Sequence, residues 1–380
     1  MTRTIVDVHV LQTVPPSNIN RDDTGSPKSA MYGGVRRARV SSQAWKRATR
    51  DAFKPLLDHD ELGMRTKRVV ELLSEEITRQ EPTLAERAPE LAEETLTAAG
   101  IKIVKSRKEK DGALPESGYL LFLSNRQVAN LAELAVTAAR AADGGTLNVP
   151  KTEARARANR ERSVDVALFG RMVADVTDLN VDAACQVAHA LSVHEVANEY
   201  DYFTAVDDHK NADADEDAGA GMIGTVEFNS STLYRYATVD ADRLQDNLGH
   251  AKATCRAVEA FARAFVTSMP TGKQNTFANR TLPDAVLIVV RDTQPISLVG
   301  AYEQAVPDRE AAGRIGCAIN RLVDHARELH EAFDQNPVAA WAIGVGERAA
   351  VLGEIAERTT LDGAISSLGS LLTQRVVDPS

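Results

Sequence analysis

The chain has 380 residues, a formal net charge of -10, 43% hydrophobic and 26% charged residues. That length suits two or three structural units, because single cores stop growing at about 250 to 300 residues. The acidic balance excludes adhesion to nucleic acid over the whole surface, so any such site has to be local. No apolar run approaches the roughly 18 residues of a membrane span. The opening MTRTIVDVHV lacks the apolar region of a secretion signal, and a cytoplasmic protein with no membrane partner is expected. Cys185, Cys255 and Cys317 are odd in number and widely spaced, which fits reduced thiols and not a disulfide framework or zinc site.

Thr4 to Gln12 alternates as a strand, with Val6, Val8 and Val10 on one face and Ile5, Asp7, His9 and Leu11 on the other. Residues 13 to 40 carry Pro15, Pro16, Gly25, Pro27, Gly33 and Gly34 and are expected to form a long loop. Ser41 reads as the N-cap of a helix over about Ser42 to Lys54. Its core stripe is Trp45, Ala48 and Ala52, and Gln43, Lys46, Arg47, Arg50 and Lys54 gather opposite.

Further along, Leu62 to Gly100 reads as helical, IKIVKSRKEKDG as an exposed hairpin or loop, Tyr119 to Ser124 as a buried strand and Asn125 to Ala142 as an amphipathic helix. Another helix is expected over Val181 to Ala197, carrying His189 and His194. Residues 200 to 239 read as a long hairpin whose tip is acidic and glycine-rich. A helix from Asp240 to Ser268, a strand from Asp284 to Arg291, a helix from about Asp308 to Phe333 and two helical pieces, Glu347 to Arg358 and Leu361 to Val377, complete the chain. The order suits an α+β fold: a ferredoxin-like or RRM-like sheet with a helical insertion and a protruding hairpin.

Between Arg36 and Lys54 stand seven basic residues (Arg36, Arg37, Arg39, Lys46, Arg47, Arg50, Lys54) against one acid, Asp51. A solvated helix face is the plainer reading of such a run. Against it, acidic partners at i to i+4 are nearly absent and a glycine-rich loop feeds the helix, so contact with a phosphate backbone is favoured. Tyr200, Tyr202 and Phe203, and Met172 near Phe169, could stack on bases, although such residues commonly fill cores. RNP-type aromatics are not evident, which argues against RNA binding on a sheet face.

The enzyme readings are weaker. Asp22-Asp23 and Asp207-Asp208 are paired acids in loops, where acids usually form turns. The alternation of Asp213, Asp215 and Asp217 fails the calcium-loop pattern at Ala218 and Gly224. TGKQN at 271 to 275 lacks the rest of a P-loop but could approach a phosphate backbone. No metal or cofactor is expected.

Four blocks, PSNINRDDTGSPKSAMYGGVRRARVSSQAWKRATR, VDVALFGRM, YDYFTAVDD with GTVEFNSSTLYRYA, and PTGKQNTFA, together make the sequence resemble CasC, the repeated backbone subunit of the type I-E CRISPR surveillance complex Cascade. The resemblance implies an RRM-derived palm (residues 1–62 and 229–380, with a palm helix at 180–198), a helical fingers insertion (63–179) and a hairpin thumb (199–228). It implies a non-catalytic subunit that binds CRISPR guide RNA, stacks head to tail with further copies of itself, meets other Cascade subunits and presents the guide to target DNA. Carried onto this chain, RNA contacts would fall to Arg21, Lys28, Ser41, Gln43, Lys46 and Arg50, with Lys273 and Gln274 as additions. Met172 and Phe203 would bracket displaced bases, and the acidic tip would project away from the RNA or meet a basic partner. The alternative is a metal-dependent endoribonuclease using Asp22 or Asp23, as related CRISPR backbone subunits use a loop aspartate.

Overall fold

The computed structural model describes residues 3–105, 113–142, 147–173, 176–205, 222–307 and 312–377. The chain divides into two compact units: Met1–Asp51, Val187–Thr238 and Phe261–Leu372 form the first, and Ala52–Gln186, Val239–Ala260 and Thr373–Ser380 the second. The α+β class expected from the sequence holds.

The first unit is built on a sheet whose strands are, in chain order, β1 (Ile5–Ser17), β2 (Ser29–Tyr32), β3 (Val35–Val40), β4 (Ala190–Ser192), β5 (Glu199–Ala205), β6 (Met222–Asp240), β7 (Ala285–Arg291), β8 (Ala339–Gly344) and β9 (Glu357–Arg358). Their spatial order is β9-β8-β7-β1-β6-β4-β3-β2, and β5 pairs with β6 as an antiparallel hairpin. The two flanking helices that matter most are α1 (Ser42–Ala52) and α2 (Gly313–Ala332).

β1 runs antiparallel to β7, with Ile5 opposite Arg291 and Leu11 opposite Ala285. It is covered on both faces: Val6 and Val8 are fully buried, and so are Asp7 and His9. One face joins Leu11, Leu287, Val289 and the α2 residues Ile319, Leu322 and Val323 in a single core. Burying Asp7 there demands partners. Tyr236 donates to its Oδ1 at 2.9 Å, while Arg291 Nε at 3.0 Å and the Ile296 N–H at 3.1 Å donate to its Oδ2. Arg291 also donates to Nε2 of His330 at 3.0 Å, and His9 bonds Tyr234 at 2.9 Å.

α1 forms where expected. The Ala44 N–H reaches Ser41 Oγ at 3.3 Å, which caps the helix, and the inward stripe includes Trp45 and Ala48. Trp45 is fully buried on an unusual neighbour. The Arg235 guanidinium lies 3.8 Å from the Trp45 ring centre and 4.7 Å from that of Phe265, and it donates to Gln12 Oε1 at 2.7 Å and to the Phe265 carbonyl. Burial pulls its pKa down to about 9.

The second unit is mainly helical. The helices Val69–Gln80, Ala88–Ala98, Asn125–Ala142 and Lys151–Asn159 share a core containing Leu73, Ile77, Leu91, Leu96, Leu131 and Ala158. A strand pair, Gly63–Thr66 with Leu121–Ser124, adjoins them, and Ile103–Val104 pairs with Glu116–Ser117. The latter pair flanks the basic run 106–112, which lies outside the described residues.

Several expectations are corrected. The palm helix placed at 180–198, read as Val181 to Ala197, is instead extended: Cys185–Val187 and Ala190–Ser192 are strands. Leu191 sits opposite Arg39 on one side and Tyr234 on the other, so cross-strand pairing overrides a short apolar run that periodicity alone cannot assign. His189 and His194 are therefore not helical. Residues 13 to 40 are also more regular than a loop, because β1 continues through Pro15 and Pro16 and a two-residue turn joins β2 to β3. Gly33 and Gly34, at φ +59° and +79°, give the doubly left-handed turn that tight hairpins need. A side chain at Gly33 would collide with the Glu303 carbonyl, whose oxygen would lie 1.6 Å from its Cβ. The helix expected over Asp240 to Ser268 breaks at Gly249 into Ala241–Leu248 and Ala251–Thr267. β8 was not anticipated, and much of 347–358 is a 3₁₀ run followed by β9 rather than an α-helix.

The buried network makes stability depend on pH. Burial and the Arg291 charge hold His330 down to about 4, and burial with the charges of Arg291 and His330 holds His9 down to about 3. Both imidazoles are neutral when folded and titrate near 6.5 when unfolded, so on acidification the unfolded chain takes up protons first. Their contribution is whole above about pH 6.5 and is lost progressively as pH falls from there towards about 4 for His330 and about 3 for His9. Urea unfolding between pH 7 and 5 should show stability falling with acid by up to about 1.4 kcal/mol per pH unit for each group. His330→Gln should reduce that slope, and an unchanged slope would remove His330 from the account.

Candidate nucleic-acid interface

Asparagine side chains tie the segment ahead of α1 to the sheet. Asn18 Nδ2 donates to the carbonyls of Gly25 and Glu227, each at 2.9 Å. Asn20 Oδ1 accepts the Ser41 N–H at 2.8 Å, and its carbonyl accepts the Lys28 N–H at 2.9 Å. The intervening turn closes through the bridge between Arg21 and Pro27. Asp22 forms this turn: its Oδ1 accepts from Thr24 Oγ1 at 2.7 Å and from the N–H groups of Thr24 and Ser26 at 2.9 and 3.0 Å. These bonds, the Thr24 hydroxyl first, hold the exposed carboxyl below its usual range. Among the described residues no cluster of His, Cys, Asp or Glu is arranged to hold a metal ion.

Around this frame the structure gathers most of the sequence candidates. Arg21 and Gln43 are exposed, Lys28, Lys46 and Arg50 are half-buried, and Ser41 is buried as the helix cap. Lys273 opens a short turn at φ +46°, followed by Gln274–Phe277. Gly272 lets this turn close on the frame, since a Cβ there would lie 2.3 Å from the Ile19 carbonyl oxygen. Phe277 meets Phe228 of β6 with ring centres 5.8 Å apart. The β5-β6 hairpin is fastened to the same frame, where Glu227 accepts from Ser26 Oγ at 2.9 Å and from Asn198 at 3.0 Å.

Phe203 pairs with Gly224 across that hairpin. A Cβ on Gly224 would sit 2.5 Å from the Phe203 ring, so the tip of the ring occupies the space that a side chain at 224 would fill. Tyr200 and Tyr202 are exposed on β5. The acidic tip and Asp207-Asp208 lie outside the described residues.

Met172 belongs to the second unit and is 86% exposed. Its neighbour Arg171 is buried and bonds the carbonyls of Leu179, Phe122 and Ala158 at 2.7, 3.1 and 3.3 Å. A backbone bridge from Arg171 to Val181 completes the anchor, and Gly170, at φ +78°, fits where a Cβ would meet the Val181 carbonyl.

Two features escaped the sequence reading. Arg37, counted there in the basic run, is fully buried and donates to the carbonyls of Tyr32, Ser192, Tyr302 and Glu303, so it holds the sheet and is withdrawn from the surface. In the other direction, Arg39 donates to His189 Nδ1 at 3.2 Å, and burial with the charges of Arg39 and Lys28 keeps His189 below its ordinary pKa. Lys28 and Arg39 thus form one cationic cluster, brought side by side by the β2-β3 hairpin, where the Arg39 N–H donates to the Lys28 carbonyl at 2.9 Å, and β3-β4 pairing adds His189 to it.

The family model for CT1975-like proteins matches residues 6–368. A chain of a solved structure titled "CRISPR RNA-guided surveillance complex, pre-nicking" shares 35% identity and a TM-score of 0.82, covering 96% of this chain and 100% of that one. A chain of a second, titled "CRISPR RNA-guided surveillance complex", gives 31% identity and a TM-score of 0.72 over 96% of this chain and 99% of the other. No curated protein matches the sequence. The chain belongs to the CT1975-like family, as a CasC-type backbone subunit of Cascade.

Asn20→Ala removes the acceptor of the Ser41 N–H at the entry to α1. It should cost about 1–3 kcal/mol in denaturant unfolding and speed hydrogen exchange at the Ser41 amide. Unaltered exchange there would show that the asparagine does not hold the helix entry.

Proposed function

We propose that this protein binds a CRISPR guide RNA along its backbone without catalysis, with the Arg21–Pro27 turn, the N-terminal half of α1 and the Lys273 turn forming the phosphate-facing surface. The supporting observation is convergence: segments near residues 20, 41, 227 and 273 are fastened to one another by Asn18, Asn20, Glu227 and Gly272. A surface that follows phosphates has to be preorganised across several chain segments, because its contacts carry position and no sequence.

In this reading Arg21, Lys28, Gln43, Lys46, Arg50, Lys273 and Gln274 meet the RNA backbone, the Ser41 cap directs helix N–H groups toward it, and Arg39 joins them. The hairpin is a thumb and the first unit's sheet a palm. Copies stack head to tail on one guide, Phe203 and Met172 bracket displaced bases, and the exposed guide pairs with target DNA. Similarity to chains of RNA-guided surveillance complexes supports the reading, as does the use of Asp22 as a turn former.

Lys46→Ala should weaken guide binding equally for unrelated spacer sequences and lower the salt slope by about one phosphate contact. A loss that depends strongly on spacer sequence would mean base readout and sink the proposal. Incubation of the assembled protein with complementary RNA and Mg2+ or Mn2+ should leave the RNA intact. Site-specific cuts abolished by Asp22→Ala would replace the binding role with a nuclease.

A further inference from the structure

A concavity of about 330 Å3 in the second unit is lined by residues including Arg155, Asn159, Arg160, Arg162, Asp178 and Leu179. Elsewhere in this unit arginines are regularly answered by carboxylates: Arg68 by Glu71, Arg79 by Glu76, Arg140 by Glu81, and Arg157 by both Glu133 and Glu153. Around the concavity that pattern stops. Among the described residues Arg155, Arg160 and Arg162 form no ion pair, and Arg171 bonds only neutral oxygens.

Positive charge here is short of acceptors. Asn159 Oδ1 accepts from Arg162 Nη2 at 3.3 Å and also from Arg171 Nη2 at 3.2 Å, while Asn159 Nδ2 is fixed on the Asp178 carbonyl at 2.9 Å. Arg162 Nε is buried with no partner. Burial and the nearby Arg162 charge bring Arg171 down to about 10. One amide oxygen shared by two guanidiniums leaves N–H donors that only a multivalent acceptor can satisfy together, and guanidinium forks match phosphoryl oxygens in geometry. Asp178 is the sole carboxylate among the described lining residues, against three arginines.

We propose that this concavity binds a phosphoryl oxyanion, supplied by free phosphate or by the phosphodiester of a nucleic acid. The Arg160 and Arg162 guanidiniums clasp it, Arg155 closes the rim, and Arg171 stays committed to the carbonyls of Leu179, Phe122 and Ala158. The proposal is independent of the phosphate-facing surface on the first unit.

Inorganic phosphate titrated into the full chain, followed by phosphorus NMR line width and by thermal unfolding, tests it. The expected result is saturable broadening with a raised unfolding midpoint, and affinity about ten-fold or more weaker in Arg160→Gln and in Arg162→Gln. Arg160 is exposed, so its variant folds even if Arg162→Gln does not, and Arg162→Lys should restore part of the affinity through charge alone. Lys46→Ala should leave phosphate binding unchanged, which separates this site from the guide-binding surface. Displacement of phosphate by a short single-stranded RNA identifies the phosphodiester as occupant, and retention of phosphate alongside bound RNA identifies free phosphate. Absence of saturable binding up to about 10 mM phosphate, or binding unaltered in both arginine variants, overturns the proposal.

Discussion

The seat of α1 on the first unit's sheet depends on a buried cation. Arg235 lies between Trp45 and Phe265, with Gln12 as its side-chain acceptor, and no carboxylate among the described residues neutralises it. A guanidinium tolerates this where an ammonium would not, since it is weakly hydrated and stacks on aromatic faces. The indole therefore does two things at once: it buries the helix's apolar stripe and solvates a charge. Because Trp45 fixes the helix rotation, Gln43, Lys46 and Arg50 have no choice about which way to face. The basic character of the surface is a consequence of what is locked beneath it.

A similar logic governs the segment ahead of the helix. Its irregular backbone cannot be stabilised by periodic hydrogen bonding alone, so amide side chains supply the missing acceptors and donors. Asn18 and Asn20 connect stretches of chain that are far apart in sequence, and the glycines at 33 and 272 allow approaches that any side chain would block. Rigidity is achieved without apolar burial, which leaves the outer face polar and open to a charged ligand.

The legible part of the fold was that in which local pattern and tertiary demand agree. The Ser41 cap, the amphipathic α1, the β7 strand and the hairpin of β5 and β6 could all be read from spacing and composition. Val181 to Ala197 could not, because its apolar run serves two short strands, Cys185–Val187 and Ala190–Ser192, whose partners are distant in sequence. β8 was hidden for a related reason: AAWAIG is short, alanine-rich and lacks alternation, and it becomes a strand through its register on β7. At the candidate site, charge was legible but burial was not. Arg37 and Arg39 stand two apart on one strand and differ in fate because the first finds four carbonyls inside the fold, whereas the second finds His189.

The Arg171-Met172 pair combines opposite mechanical qualities in adjacent residues. Arg171 is a planar group pinned by multiple acceptors, so the backbone it carries has little latitude. Met172 is an unbranched thioether with three rotatable bonds, projecting into open space from that pinned backbone. The point of attachment is fixed while the contacting surface can remould itself, so an apolar neighbour of varying outline would be met at a constant height with no loss of contact. Phe203, a planar ring whose tip fills the space beside Gly224, offers no such compliance, and the two side chains are accordingly not interchangeable.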